Sequence, residues 1–172
     1  MKANKLFFGF LFTCLTLPAA AVLAAPVPVT DDLNELNSAY GVMLGTNSNR
    51  YYIENRVSDT LILGLQSTSW QKGTSTTDLF GQIQGLDGTD VLIGIRNFDS
   101  KTKGFIGMTK TMPTSLDWNT YVTAVVGKEF QEVEAGAIYT VTQDTDINLS
   151  YNLYRYHGNH SSVNIGLTYK AW

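Results

Sequence analysis

The sequence predicts an all-β protein: a closed antiparallel up-and-down transmembrane β-barrel of ten strands, or of eight if the first two runs stay out of the wall. Three observations predict it. From Ala39 onward, apolar residues recur at every second position in runs separated by short polar gaps, the period of strands with two unlike faces. Charged residues make up 16% of the chain, well below the roughly 25% of soluble domains. Tyr51, Trp70, Phe105, Trp118, Tyr169 and Trp172 gather near run ends, where the interfacial girdles of a membrane barrel lie.

The chain opens with Lys2 and Lys5 ahead of an apolar run from Leu6 to Leu23, the pattern of a signal peptide. Val22 and Ala24 are the small residues before a cut, so residues 1–24 are expected to leave and the mature chain to begin at Ala25. A retained anchor fits less well because the run is marginal in length and no basic stop follows it. A lipoprotein cut at Cys14 is disfavoured by Phe12 and Thr13. Cys14 is the only cysteine, so the mature chain holds no disulfide, thiolate metal site or cysteine nucleophile. Removing Lys2 and Lys5 leaves 10 Lys+Arg against 15 Asp+Glu and moves the net charge from −3 to −5, which speaks against a nucleic-acid partner.

Residues 25–38 read as a periplasmic lead-in and 39–172 as the barrel domain. The runs span approximately 39–45, 50–57, 60–70, 78–86, 90–98, 104–112, 119–127, 133–142, 146–156 and 162–172. Several reach the roughly 9 to 11 residues that a tilted strand needs to cross a bilayer core. In Ile147 to Leu153, one face carries Ile147, Leu149, Tyr151 and Leu153 and the other Asn148, Ser150 and Asn152. Val163, Ile165, Leu167 and Tyr169 alternate likewise with Asn164, Gly166, Thr168 and Lys170. With an even strand count both ends of the barrel chain face the periplasm. The gaps at Thr46–Asn49, Gln71–Thr77, Asp99–Lys103, Lys128–Glu132 and His157–Ser161 then become short outer loops.

Period two alone does not say which face points outward. A periplasmic barrel with Leu149, Leu153, Ile165 and Leu167 turned inward around a lipid or other small apolar molecule shares the pattern. The membrane reading places Glu54, Arg56, Arg96, Lys110 and Glu134 on the lumen face, where opposite charges can neutralise one another in a narrow interior.

The closing residues Val163-Asn164-Ile165-Gly166-Leu167-Thr168-Tyr169-Lys170-Ala171-Trp172 resemble the terminal strand of small outer-membrane barrels such as the OmpX, OmpW and OmpA membrane domains. The resemblance implies localisation in the outer membrane, contact with outer-membrane lipid, and recognition of the last strand by the barrel-assembly machinery. This ending departs from the family pattern in that Ala171 puts Trp172 on the polar parity.

Chemistry is sparse. His160 and Ser162 form a His-x-Ser arrangement that resembles the active pair of outer-membrane lipid A deacylases, but no carboxylate follows to orient the imidazole. His157 and His160 share one loop without further metal ligands. The expected protein is therefore a structural or passive-transport barrel, not an enzyme, with no cofactor.

Overall fold

The computed structural model describes residues 37–72, 75–99 and 101–171. The expected signal peptide, most of the expected lead-in, and Trp172 lie outside the described residues. Ten strands follow one another: β1 (Ser38–Gly45), β2 (Ser48–Ser58), β3 (Leu61–Trp70), β4 (Thr76–Gln84), β5 (Thr89–Phe98), β6 (Lys101–Pro113), β7 (Trp118–Gly127), β8 (Phe130–Thr142), β9 (Thr145–Arg155) and β10 (Asn159–Ala171). Each pairs antiparallel with its sequence neighbours and β1 pairs with β10, closing the barrel. The expected ten strands are present. One end, here the terminal end, holds the start of β1 and the end of β10; the other is the distal end.

Several strands reach further into the gaps than the alternation alone predicts. β4 begins at Thr76, β6 at Lys101 and β8 at Phe130. The β5–β6 and β7–β8 turns shrink because Asp99 (φ 48°) and Glu129 (φ 75°) adopt the left-handed conformation that tight hairpins require. The closing seam has its own device. β1 is 8 residues against 13 for β10, and the β1–β2 turn continues the pairing where β1 stops. Thr46 N–H donates to the Val163 carbonyl at 2.9 Å, Asn47 Nδ2 to the Ser161 carbonyl at 2.8 Å, and Val163 N–H to Thr46 Oγ1 at 3.2 Å.

The two faces settle orientation. Leu63, Leu65, Leu79, Ile93, Ile106, Leu149, Ile165 and Leu167 point outward and are exposed, Ile165 at 60%. Arg50, Glu54, Asp78, Arg96, Glu132 and Glu134 point inward and are buried, Arg96 at 1% and Glu134 at 0%. This inverts the polarity of a water-soluble barrel and overturns the reading with Leu149, Leu153, Ile165 and Leu167 inside.

Glycines make room for the lumen's large side chains. Tyr52 lies over its register partner Gly41, Phe80 over Gly64, Phe130 over Gly127, and Tyr121 over Gly136. Pairing large with small across adjacent strands lets a narrow interior fill without strain. A Cβ at Gly41 would sit 1.9 Å from Tyr52 Cζ. Gly41→Val is therefore expected to cost about 1–3 kcal/mol by overpacking. Tyr52→Ala in the same chain should recover part of that loss, as denaturant unfolding of the four proteins in micelles would read.

Candidate functional site: the barrel lumen

The inward side chains form layers. At the distal end Trp70, Phe80, Phe98, Phe105, Phe130 and Tyr154 make one apolar cluster with Leu92 and Val125, and Tyr156 packs against it. Trp70 stacks on Tyr154 at 5.1 Å between centroids, and Phe98 meets Phe130 edge-on at 5.3 Å. A second cluster, Ala39, Met43, Tyr52, Tyr121 and Ile138, lies toward the terminal end.

A buried ionic network accompanies these clusters. Arg96 on β5 donates from Nε to Asp78 Oδ1 at 2.8 Å and from Nη2 to Asp78 Oδ2 at 2.7 Å, a bidentate grip on its register partner in β4. Its Nη1 pairs across the lumen with Glu132 on β8. Arg50 on β2 reaches the same strand, with Nη2 at 2.7 Å from Glu134 Oε2. Glu134 also accepts from the Tyr121 hydroxyl at 2.7 Å and from Asn152 Nδ2 at 2.9 Å. Asn152 Nδ2 donates as well to Glu132 at 3.0 Å. The Arg96 guanidinium lies 4.6 Å from the Phe130 ring centroid, which joins the ionic network to the aromatic layer. Nearer the terminal end, Lys170 Nζ lies 3.2 Å from Asp146 Oδ2, and the Tyr52 hydroxyl is 2.6 Å from Thr168 Oγ1.

The sequence-predicted site residues divide. Glu54, Arg96 and Glu134 lie buried in the lumen, and Arg96 and Glu134 belong to the network. Arg56 shares the inward parity of β2 but is half-buried at the terminal mouth, bonded to the Gln84 side chain and the Asp59 carbonyl. Lys110 is a correction: on β6 the buried residues are Phe105, Thr109 and Thr111, so Lys110 takes the outward parity of Ile106 and Met108. Its long stem carries the ammonium to the Asp87 carbonyl at the terminal rim.

The aromatic residues divide similarly. Tyr51, Trp118 and Tyr169 are exposed on the outward face. Trp70 and Phe105 are corrections, both buried inside. Trp70 turns in to stack on Tyr154, and Phe105 turns in over Gly94, whose missing side chain leaves it space. Tyr40 and Tyr139 complete the outward aromatic set at the terminal end, Tyr40 beside Tyr169 in register and Tyr139 at 4.9 Å from Trp118.

Arg50, Asp78 and Glu132 were missed because each sits at the edge of a run or in a gap of the alternation. The signal was present in parity, since Arg50 precedes Tyr52 by two, Asp78 precedes Phe80 by two, and Glu132 precedes Glu134 by two. The Ser162 hydroxyl donates to Asn164 Oδ1 at 2.8 Å and accepts from the Asn47 N–H at 3.2 Å, while His160 packs against Trp70 and Tyr154. The two side chains thus serve the β1–β10 seam and the aromatic layer. Among the described residues, no group of three His, Cys, Asp or Glu is placed to hold a metal.

No protein-family model and no curated relative matches the chain. The chain is similar to several solved structures. A designed transmembrane β-barrel is 16% identical with a TM-score of 0.44, over 81% of this chain and 98% of that one. The N-terminal β-barrel domain of Pseudomonas aeruginosa OprF is 11% identical with a TM-score of 0.44, over 81% of this chain and 100% of that one. The KdgM porin in complex with disordered oligogalacturonate is 10% identical with a TM-score of 0.48, over 77% of this chain and 98% of that one. With TM-scores of 0.44 to 0.48 these likenesses assign no family, and no family match supports the finer OmpX, OmpW or OmpA assignment.

Arg96→Met removes the partner of both Asp78 and Glu132 and is expected to cost about 3–5 kcal/mol. Chemical unfolding of the variant in micelles measures it, and a loss below about 1 kcal/mol would contradict the network's role. At the distal rim, Lys103 of β6 bonds to Glu129 in the β7–β8 turn and holds that carboxyl below its ordinary value. The pair's small contribution is complete above the ordinary glutamate range and fades as pH falls through the lowered value. Carbon-detected titration of Glu129 should therefore show a midpoint that rises toward the ordinary value in Lys103→Met.

Proposed function

We propose that this chain is an outer-membrane β-barrel with a structural role, its lumen filled by side chains and not open as a wide pore. The observation that carries the reading is the inverted polarity: a continuous apolar exterior around a buried, ion-paired interior. In water that exterior would aggregate. In a bilayer it is satisfied, and closure leaves no unpaired strand edge in hydrocarbon. The aromatic cluster at the distal end and the cross-lumen ion pairs support a closed interior. The terminal end faces the periplasm in this reading, and the outward residues Val163, Ile165, Leu167 and Tyr169 of β10 are the strand features offered to the barrel-assembly machinery. Outer-membrane lipid is the surrounding partner.

A narrow passive-transport role is the second reading, favoured by one observation. Glu54 Oε2, Gln66 Oε1 and Gln82 Oε1 are buried without a hydrogen-bond partner among the described residues, as are Arg50 Nε and Nη1. Buried polar atoms of this kind suit a hydrated thread through the lumen, and the carboxylate excess there would favour small cations.

Cell fractionation tests the membrane reading: the protein is expected with the outer membrane and to need detergent for release, whereas folded protein in the soluble periplasmic fraction would overturn it. Single-channel recording of the purified protein separates the two roles. Little or no conductance is expected, and a large stable conductance unaffected by Arg96→Met or Glu134→Gln would sink the closed-lumen reading.

A further inference from the structure

The two ends of the barrel differ in chemistry on their outward faces. At the terminal end the outward residues include the aromatics Tyr40, Trp118, Tyr139 and Tyr169 and one cation, Lys110, and the exposed charges of the turns are the acids Asp59, Asp87 and Asp117. At the distal end the last outward residues are small and polar: Asn49, Ser69, Thr77, Asn97 and Thr102, all exposed. Two cations continue outward rows into that polar ring on β7 and β9, while exposed Lys72 stands apart from them in the β3–β4 turn. The outward row Val122, Ala124, Val126 of β7 runs into exposed Lys128, and the outward row Tyr151, Leu153 of β9 ends in exposed Arg155. β8 lies between them, and its Gln131 is the register partner of both Val126 and Arg155. Gln131 Oε1 is buried without a hydrogen-bond partner among the described residues. Exposed Lys101 stands on the neighbouring strand β6, while Glu129, the acid of this arc, is occupied by Lys103.

From this placement we infer that the β7–β9 distal rim, with Lys128 and Arg155 at its centre and Gln131 between them, docks the phosphate groups of the outer-leaflet glycolipid. The inference rests on the outer-membrane reading above, which turns the distal end outward. A lipid, and not a soluble anion, fits because Lys128 and Arg155 continue the outward rows whose lower members face hydrocarbon. A molecule whose chains lie against Val126 and Leu153 therefore presents its headgroup to the two cations. Arg155 offers a planar fork suited to two phosphate oxygens. The amide and hydroxyl residues of the rest of the ring suit sugar hydroxyls, where the opposite rim offers aromatic anchors.

The test uses the full protein extracted from membranes, exchanged into a neutral detergent and titrated with diphosphorylated lipid A, with its dephosphorylated form, and with inorganic phosphate, bound lipid being read by native mass spectrometry. Wild type should bind the diphosphorylated form about tenfold more tightly than the dephosphorylated one, and the preference should shrink as salt rises. Lys128→Gln with Arg155→Gln should bind both forms alike. Lys110→Gln, at the opposite rim, should keep the preference. Both substituted proteins must retain the heat-dependent gel migration of a folded barrel; if the rim pair does not, Arg155→Gln alone is compared with Arg155→Lys, which should retain part of the preference. Equal binding of the two lipids by wild type, or a preference undiminished in the rim variants, overturns the inference. So does full displacement of the lipid by inorganic phosphate at matched phosphate concentration. A protein that fractionates with the outer membrane and shows no lipid preference refutes this inference alone, whereas a soluble periplasmic protein refutes the membrane reading beneath it.

Discussion

Every strand in this fold depends on the pairing of β1 with β10. A ten-stranded sheet left open would present two rows of unpaired N–H and C=O groups, and in hydrocarbon each such group costs several kcal/mol. The chain meets that demand with its shortest strand, β1, and supplements it through the Thr46–Asn47 turn, which bonds to Ser161, Ser162 and Val163 of β10. Ser162, which resembles a nucleophile when read beside His160, is part of that seam. Its hydroxyl ties together Asn47 and Asn164.

Once the wall is closed, its small radius dictates the interior. A lumen this narrow is filled by side chains, so the design problem becomes one of packing as much as of charge. The glycines opposite Tyr52, Phe80, Phe130 and Tyr121 solve the steric part. The electrostatic part is solved locally by the Asp78–Arg96 register pair and across the lumen by β8, which supplies both Glu132 and Glu134. Neither solution requires a residue of unusual reactivity, consistent with a sequence poor in histidine and without cysteine beyond Cys14.

The wall was legible in the sequence because strand alternation is a local property. Ile147 to Leu153 and Val163 to Tyr169 declare both faces within seven residues, and all ten runs correspond to strands. The interior was legible only in part. Lys110 looks inward-facing if charge is taken as the guide, yet an outward lysine near a rim keeps its ammonium in polar surroundings at little cost. Trp70 and Phe105 look like girdle residues if aromaticity near a strand end is the guide, and the distinction lies in what stands opposite: Tyr154 beside Trp70, Gly94 beneath Phe105. Gly94 is placed by the register of β5 with β6, and Tyr154 by closure of the barrel, since β3 and β9 do not pair; no single run reveals either. Glu132 was hidden because the tight turn at Glu129 starts β8 at Phe130, and Arg50 and Asp78 because β2 and β4 begin at Ser48 and Thr76, ahead of the clear alternation.

The bonds from Arg50 and Arg96 to β8 connect walls that are distant around the sheet. They have no counterpart in a flat sheet or in any hairpin taken alone, because β2 and β5 meet β8 only after the sheet has curled. Until then Glu132 and Glu134 lie out of reach of both guanidinium groups, and although Arg96 keeps its register partner Asp78, a partly rolled sheet in lipid carries Arg50, Glu132 and Glu134 without their ionic partners on the surface it is about to enclose. Curling and charge neutralisation are therefore a single event. The barrel should form and come apart in one cooperative step, with β8 acting as the latch that makes every half-closed state costlier than either end.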